Sequence, residues 1–364
     1  MDSRRRFALA LSHRQPDRVP VDYWADAAVS ARLRERWGLA SQEELLRRLG
    51  VDFRYIDGPD YVGPELRTHP DGAVEDLWGV PRIPVRVGSG DRAATYREVT
   101  ASPLAGAGSL AEVRDYPGWP DPDWFDYACV RRQAARARRD GKVVIFMGDR
   151  LNRCAQLKPA MYLRGVARIL EDLVLAPEIA EYLFARIGGF YLEYARRTLQ
   201  AADGAVDVFF TGDDFGTQAG PFMSPAMWRR FLRPGMEAFI DLGHEFGCAV
   251  AHHSCGAVRP IIPDLIDCGL DILNPLQPEA RDMDPVELKR SFGDRLCFHG
   301  SISIQHTLPF GTPRDIRDEV RRRFEALADG GGFIFCTAHN IQPDTPIENV
   351  EALFRAYREC GRYA

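Results

Sequence analysis

Short runs of apolar, β-branched or aromatic residues recur along the chain, and most precede a stretch whose apolar positions repeat at helical spacing. The runs are Val19–Trp24, Phe53–Asp57, Val143–Met147, Val206–Thr211, Ala249–His253, Asp271–Asn274, Leu296–His299 and Phe333–Cys336. The amphipathic stretches are Glu43–Leu49, Tyr162–Leu175, Ile179–Leu199, Pro225–Phe246, Val258–Asp267, Pro285–Phe292 and Thr312–Ala328. Ser224-Pro225 and Thr312-Pro313 each supply an N-cap followed by proline at the first helical position. Strands that alternate with helices predict a parallel sheet, and eight of them predict closure into a (β/α)₈ TIM barrel, an α/β fold. Near-continuous apolar strands fit a sheet covered on both faces.

Residues 58–130 break the alternation. They contain two runs of alternating polarity, Val80–Val87 and Ala94–Val99, joined by Gly88-Ser-Gly-Asp. That pattern predicts a β-hairpin with flanking loops inserted after strand two, a lid or rim on one barrel rather than a separate domain. Residues 1–364 are therefore read as a single domain.

Composition narrows the class. The chain is 45% hydrophobic and 27% charged, as in globular proteins. Its net charge is −5, with basic residues scattered, so no nucleic-acid surface is expected. The densest basic runs, Arg131–Arg139 and Arg321–Arg323, lie in helical stretches and read as solvated faces. The apolar stretch Phe7–Leu11 is too short for a secretory signal, and no run suffices for a membrane span. The expectation is a cytoplasmic protein whose eight cysteines are reduced.

Polar residues collect at the predicted strand ends, where the active sites of such barrels lie. Strand four ends in Gly212-Asp-Asp-Phe-Gly-Thr-Gln218 and strand five in His252-His-Ser-Cys-Gly256. Strands six, seven and eight end in Asn274-Pro-Leu-Gln277, His299-Gly-Ser301 and Cys336-Thr-Ala-His-Asn340. One buried histidine bonded to a carbonyl is ordinary; several at one end of a barrel are not. In a strand, residues i and i+2 share a face, so His253 and Cys255 point together while His252 and Ser254 point away. Imidazole nitrogen and thiolate are the ligands zinc takes. A third ligand comes from Cys336 or His339 across the mouth. The remaining cysteines, Cys129, Cys154, Cys248, Cys268, Cys297 and Cys360, lack such company and read as core or surface thiols. Asp213 and Asp214 cannot both face the axis. One is expected to act as a general acid or base, with Asp214 the favoured candidate, while the other caps a turn. Gln218, Asn274, Gln277 and His299 are candidate substrate-binding residues.

The ordered motifs GDDFGTQ, HHSCG, NPLQ, HGSIS and AHNIQPDTPIENV, with an opening RQPDRVPV, resemble the uroporphyrinogen decarboxylase superfamily along nearly the whole chain. The resemblance implies a (β/α)₈ barrel and one of two activities: cofactor-free decarboxylation, or zinc-dependent methyl transfer between a corrinoid protein and a thiol or other small acceptor. The decarboxylases carry an N-terminal arginine motif, whereas Trp24-Ala-Asp-Ala-Ala-Val-Ser contains no arginine. The methyltransferases carry H-x-C-G, matched by His253-Ser-Cys255-Gly256. Their third ligand is a cysteine seven residues before the proline of a T-P-x-x-N turn. Counting back from Pro346 gives His339, so either His339 substitutes or Cys336 reaches in, with His339 favoured. The resemblance thus implies Zn²⁺, a partner carrying cobalamin, a small methyl donor or acceptor, and compatibility with a homodimer. The carboxy-lyase is the alternative.

Overall fold

The computed structural model describes residues 1–88, 90, 93–148 and 153–363. Its strands are β1 (Phe53–Ile56), β2 (Asp60–Tyr61), β3 (Val74–Glu75), β4 (Pro81–Val87), β5 (Ala94–Val99) and β6 (Phe125–Asp126), then β7 (Val143–Phe146), β8 (Val208–Gly212), β9 (Ala249–His253), β10 (Ile272–Asn274), β11 (Cys297–His299) and β12 (Phe333–Ile334). Seven of them form one curled parallel sheet in the order β1-β7-β8-β9-β10-β11-β12. Each is short and mostly buried, and β7 and β8 are buried throughout, as expected of a sheet covered on both faces. Helices fill the crossovers, among them Pro177–Ala202, Arg233–Glu245 and Pro313–Leu327.

The first expected strand, Val19–Trp24, is not a continuous strand. Its backbone nevertheless bonds on both sides: Asp22 N–H donates to the Phe335 carbonyl at 2.9 Å, and Asp52 N–H donates to the Val21 carbonyl at 2.9 Å. Residues 20–22 thus bond both to the chain just beyond β12 and to the residue just before β1.

Alternation along the strands sorts the core. Phe53, Val143, Ile145, Val208, Phe210, Ala251, Ile272, Cys297 and Ile334 pack together inside the curl, with Trp24 and Cys336. Their neighbours Val144, Phe146, Phe209, Val250, Leu273, Phe298 and Phe333 point outward into the helices. Helix Ser3–Leu11 adds Phe7 to the inner group, its ring 5.6 Å from Phe53 at the N-terminal end of the sheet. The C-terminal end is left for polar groups.

Two expected helices are interrupted, for local reasons. Tyr162–Leu175 belongs to two helices, Leu157–Arg164 and Val166–Leu175, separated by Gly165 at φ +89°. Pro225–Phe246 breaks at Leu232, because Pro234 has no N–H to continue the ladder. Both expected caps are present; Thr312 and Asp315 form a capping box.

Residues 58–130 hold the expected hairpin, β4 paired with β5, extended by β3 into a three-stranded antiparallel sheet. Ser89 and Asp91 of the expected turn lie outside the described residues. The hairpin docks on the C-terminal end of the sheet, where the Tyr96 hydroxyl donates to Gln342 Oε1 at 2.7 Å.

Candidate metal centre

His253 ends β9, and Cys255 follows two residues later on the same side. Their Nε2 and Sγ atoms are 3.3 Å apart. His339, on the loop beyond β12, brings a ring nitrogen so that one ligand atom from each of the three lies within 4.8 Å of the others. A tetrahedral ion with ordinary zinc–nitrogen and zinc–sulfur distances spaces such atoms about 3.5 Å apart. The donor set therefore fits zinc. It also fits in protonation pattern: His253 Nδ1 is 2.6 Å from Asn274 Oδ1, an obligate acceptor, so Nδ1 carries the proton and the Nε2 lone pair faces Cys255 and His339. Burial pushes the Cys255 thiol up to about 12 and lowers His253 well below the usual imidazole value. A cation here would reverse the first effect, because metal binding stabilises thiolate.

The loop bearing Cys255 is held by close backbone approach. A Cβ on Gly216 would lie 2.9 Å from the Ala257 nitrogen, and one on Gly256 would lie 2.6 Å from the Gly216 carbonyl carbon. Only glycine pairs let the β8 and β9 loops touch this way, and Gly256 also has φ +87°. Gln277 Oε1 accepts from Gly256 N–H at 2.8 Å, and Asp214 Oδ1 accepts from Cys255 N–H at 3.1 Å.

The two neighbouring aspartates differ sharply. Asp213 is buried, and its carboxylate accepts three backbone N–H groups, from Gln156, Leu157 and Lys158, at 2.5–2.8 Å. It caps helix Leu157–Arg164. Burial pushes it up to about 6 against those donors. Asp214 turns toward His253 and Cys255, with Oδ1 3.7 Å from His253 Nε2, and pairs with the Lys158 ammonium. Burial opposes its charge, but His253 and Lys158 together hold it below the usual carboxylate value. His252, by contrast, is a core histidine: stacked on Phe215 and 2.8 Å from Thr211 Oγ1, it is pushed down to about 3 by burial.

Two cavities meet at the ligands. The larger, about 400 Å³, is lined by His253, His339, Asp214, Lys158 and Arg153, and by Asp76, Trp78, Arg82 and Tyr96 of the inserted segment. Gly212 leaves room there for Arg153, whose Cδ a Cβ would meet at 2.2 Å. The smaller, about 190 Å³, is lined by Cys255, His339, Gln218 and Gln277. Asn274 lines neither; it sits behind His253.

His299 and Cys336 lie elsewhere. They form a second buried group with Asp22, again with ligand-type atoms within 4.8 Å of one another. Asp22 Oδ2 accepts from the Tyr55 hydroxyl at 2.5 Å and Trp24 Nε1 at 3.1 Å, and is 3.3 Å from His299 Nε2. Trp24 separates the two groups, its ring 5.7 Å from both His253 and His299. Trp24, packed on His253, and Asp22, bonded to Trp24, were not selected by the strand-end reading, nor were Lys158, Arg153 and Arg82, which line the larger cavity. A polar Asp22 inside the apolar run Val19–Trp24 was the available signal for the first two.

The uroporphyrinogen decarboxylase (URO-D) family's sequence model matches residues 155–360, more than half of the chain. The chain belongs to the URO-D family. The matched span carries Asp213, Asp214, His253, Cys255 and His339, whereas Asp22, Trp24 and the hairpin precede it. Among relatives of this URO-D family chain, the methylcobamide:CoM methyltransferase MtaA of Methanosarcina barkeri is 32% identical over 137 residues, 38% of each protein. The methylated-thiol–coenzyme M methyltransferase of Methanosarcina mazei is 27% identical over 201 residues, 55% of this chain and 50% of the relative. A uroporphyrinogen decarboxylase of Thermus thermophilus is 28% identical over 140 residues, 38% of each. The matched stretches thus span half or less of these relatives' lengths. A solved structure, a methyltransferase from Methanosarcina mazei, superposes with TM-score 0.65 at 20% identity, covering 99% of each chain, and shares the fold. Among the described residues, no helix is long and apolar enough to cross a membrane.

Proposed function

We propose that this chain is a (β/α)₈-barrel methyltransferase that moves a methyl group between a corrinoid protein and a small thiol or similar acceptor, with zinc held by His253, Cys255 and His339. The observation that carries the reading is the convergence of those three side chains where two cavities meet, His253 and His339 lining the one of about 400 Å³ and Cys255 and His339 the one of about 190 Å³, with His253 Nδ1 committed to Asn274. Two relatives named for methyl transfer to coenzyme M support it. The barrel reading rests on the bonds that residues 20–22 make to both sheet edges, with residues 58–130 as an insertion in one domain.

When bound, zinc supplies Lewis acidity that favours the ionised form of an acceptor thiol or hydroxyl. The residues do the rest. Asp214, ionised beside Lys158, faces the acceptor position and takes up its proton. Trp24 backs the His253 ring and shields it from below. The cavity admits a small molecule and leaves its methyl-accepting atom open to a partner docked above. In the transfer, the carbon–acceptor bond forms as the cobalt–carbon bond breaks, and that bond's electron pair stays on cobalt. The sequence and cavity are compatible with the reverse direction.

The carboxy-lyase alternative draws on Arg153, Lys158 and Arg82, basic groups that line the same cavity, although Lys158 is paired with Asp214 and Arg82 with Asp76. One experiment separates the two. Purified protein is analysed for metal and assayed with methylcobalamin and small thiols, with and without chelator. Near-stoichiometric zinc, with activity lost on chelation and in His253→Ala, is the expected result. Metal-free protein that decarboxylates a tetrapyrrole would sink the proposal.

A further inference from the structure

The strands of the sheet are parallel, so the end opposite His253 is the N-terminal end. There, residues preceding β1 meet the C-terminal helix Ile347–Cys360 around a separate cavity of about 250 Å³. Four arginines line it, Arg18, Arg48, Arg358 and Arg362, and none of its lining residues is acidic. The chain as a whole is net negative, so this concentration is local rather than a reflection of general basicity.

The four are not equivalent. Arg18 is held rigidly, with both terminal nitrogens on Asp52 at 2.7 and 2.9 Å and Nη1 also on the Tyr357 hydroxyl at 2.5 Å. Asp52 also accepts from Arg6, at 2.7 Å, and Asp17 accepts from Arg6 at 2.7 and 2.8 Å, so Arg18 and Arg6 are matched by two carboxylates and the unmatched charge of this cavity lies on the other three arginines. Arg48 lies over the Trp37 ring at 4.7 Å, which fixes its plane without neutralising it. Among the described residues, Arg48, Arg358 and Arg362 have no carboxylate partner. Elsewhere on this surface arginines do find carboxylates: Arg47, the neighbour of Arg48, pairs with Glu43 and Asp140.

We propose that this cavity binds a small phosphate-bearing anion, at a site remote from the metal centre. Guanidinium forks match oxyanions that present several oxygens, and three uncompensated forks exceed what a single carboxylate can satisfy. The volume accommodates a diphosphate group rather than a lone ion; liquid water at roughly 30 Å³ per molecule would put about eight molecules there.

The test is calorimetric titration of the full chain with inorganic phosphate, inorganic pyrophosphate and ADP at matched ionic strength, in wild type, Arg48→Ala, Arg358→Ala and the double variant. Both arginines are exposed and outside the metal centre, so zinc content and anion-free activity are expected to stay unchanged. Saturable one-site binding of pyrophosphate is expected, at least tenfold tighter than phosphate and weakened about tenfold or more in each single variant, a difference of roughly 1.4 kcal/mol. ADP binding more tightly than pyrophosphate would identify a nucleotide as the source of the diphosphate, and weaker binding a free one. The proposal is overturned by no saturable heat at about 1 mM ligand, or by binding that the double variant leaves intact.

Discussion

His253 and His252 are adjacent, both buried, and chemically opposite. Thr211 and the Asp213 carbonyl engage the two nitrogens of His252, while His253 spends one nitrogen on Asn274 and leaves the other facing Cys255. Strand alternation made that split legible, because i and i+2 share a face. Asn274 was legible only as a polar strand end; its place behind the imidazole depends on β9 and β10 lying side by side, with Asn274 in register with His253. The third ligand was open between His339 and Cys336, since both follow β12 and spacing alone cannot tell which turns inward. The geometry predicts that His339→Ala lowers zinc affinity well over tenfold while Cys336→Ser, in the Asp22–His299 group, leaves it nearly unchanged. Chelator competition reads this directly, and the reverse order of effects would reassign the ligand. The aspartates carry a second prediction. Asp214→Asn should cut turnover by roughly 10²–10⁴ with zinc retained. Asp213→Ala should instead cost several kcal/mol of stability, because three N–H groups lose their acceptor at about 1–3 kcal/mol for each that stays buried and unsatisfied. If Asp213→Ala proves to be the slow variant at full stability, the roles are exchanged.

At the level of elements, period-2 and period-3.6 patterns were read correctly where one competing force was absent. β4 and β5 are legible as alternation because one face is solvated, and the buried strands are legible as short apolar runs. The interrupted helices were not, because amphipathic spacing continues through Gly165 and Pro234 although the backbone cannot. Helices Ala27–Trp37 and Ile347–Cys360 were passed over, although Asp26 and Gly38 bracket the first as N-cap and left-handed C-cap. What no local pattern contains is where the inserted segment docks. Asp76, Trp78, Arg82 and Tyr96 reach the cavity only because the three-stranded sheet folds back over the mouth. Tyr96 holds that arrangement through Gln342, on the loop that also bears His339. Tyr96→Ala should therefore raise KM for the small acceptor severalfold, with zinc content unchanged and kcat nearly so. An equal fall in kcat would mean that the hairpin acts on the transition state rather than on binding.

For the molecule as a whole, what ties the sheet to the segments beside its first strand is separable from what the sheet carries. That tie passes through one buried carboxylate. Asp52, fully buried, accepts from Ser3 Oγ at 2.7 Å, from Arg6 and Arg18 at 2.7 Å, and from Val21 N–H at 2.9 Å. It thereby ties the N-terminal helix, the bridging segment 18–22 and the start of β1 into one unit. Removing its charge leaves Arg18 without a carboxylate and the buried Arg6 with Asp17 alone, and breaking buried pairs this way costs about 3–5 kcal/mol. The metal ligands make no comparable link between elements. A chain of this size buries enough apolar surface to hold its fold without a metal, so ligation contributes stability only as binding energy to an already folded protein. Compared as metal-free proteins, Asp52→Asn should unfold at markedly lower urea than wild type, whereas His253→Ala should lose less, about 1–3 kcal/mol for the buried Asn274 Oδ1 left without its donor, with the same far-ultraviolet circular dichroism. Zinc added back should raise the midpoint of wild type and of Asp52→Asn but not of His253→Ala. A wild-type chain that loses its structure when the metal is stripped would contradict this separation, and would make the His253–Cys255–His339 group a structural clasp instead of a catalytic centre.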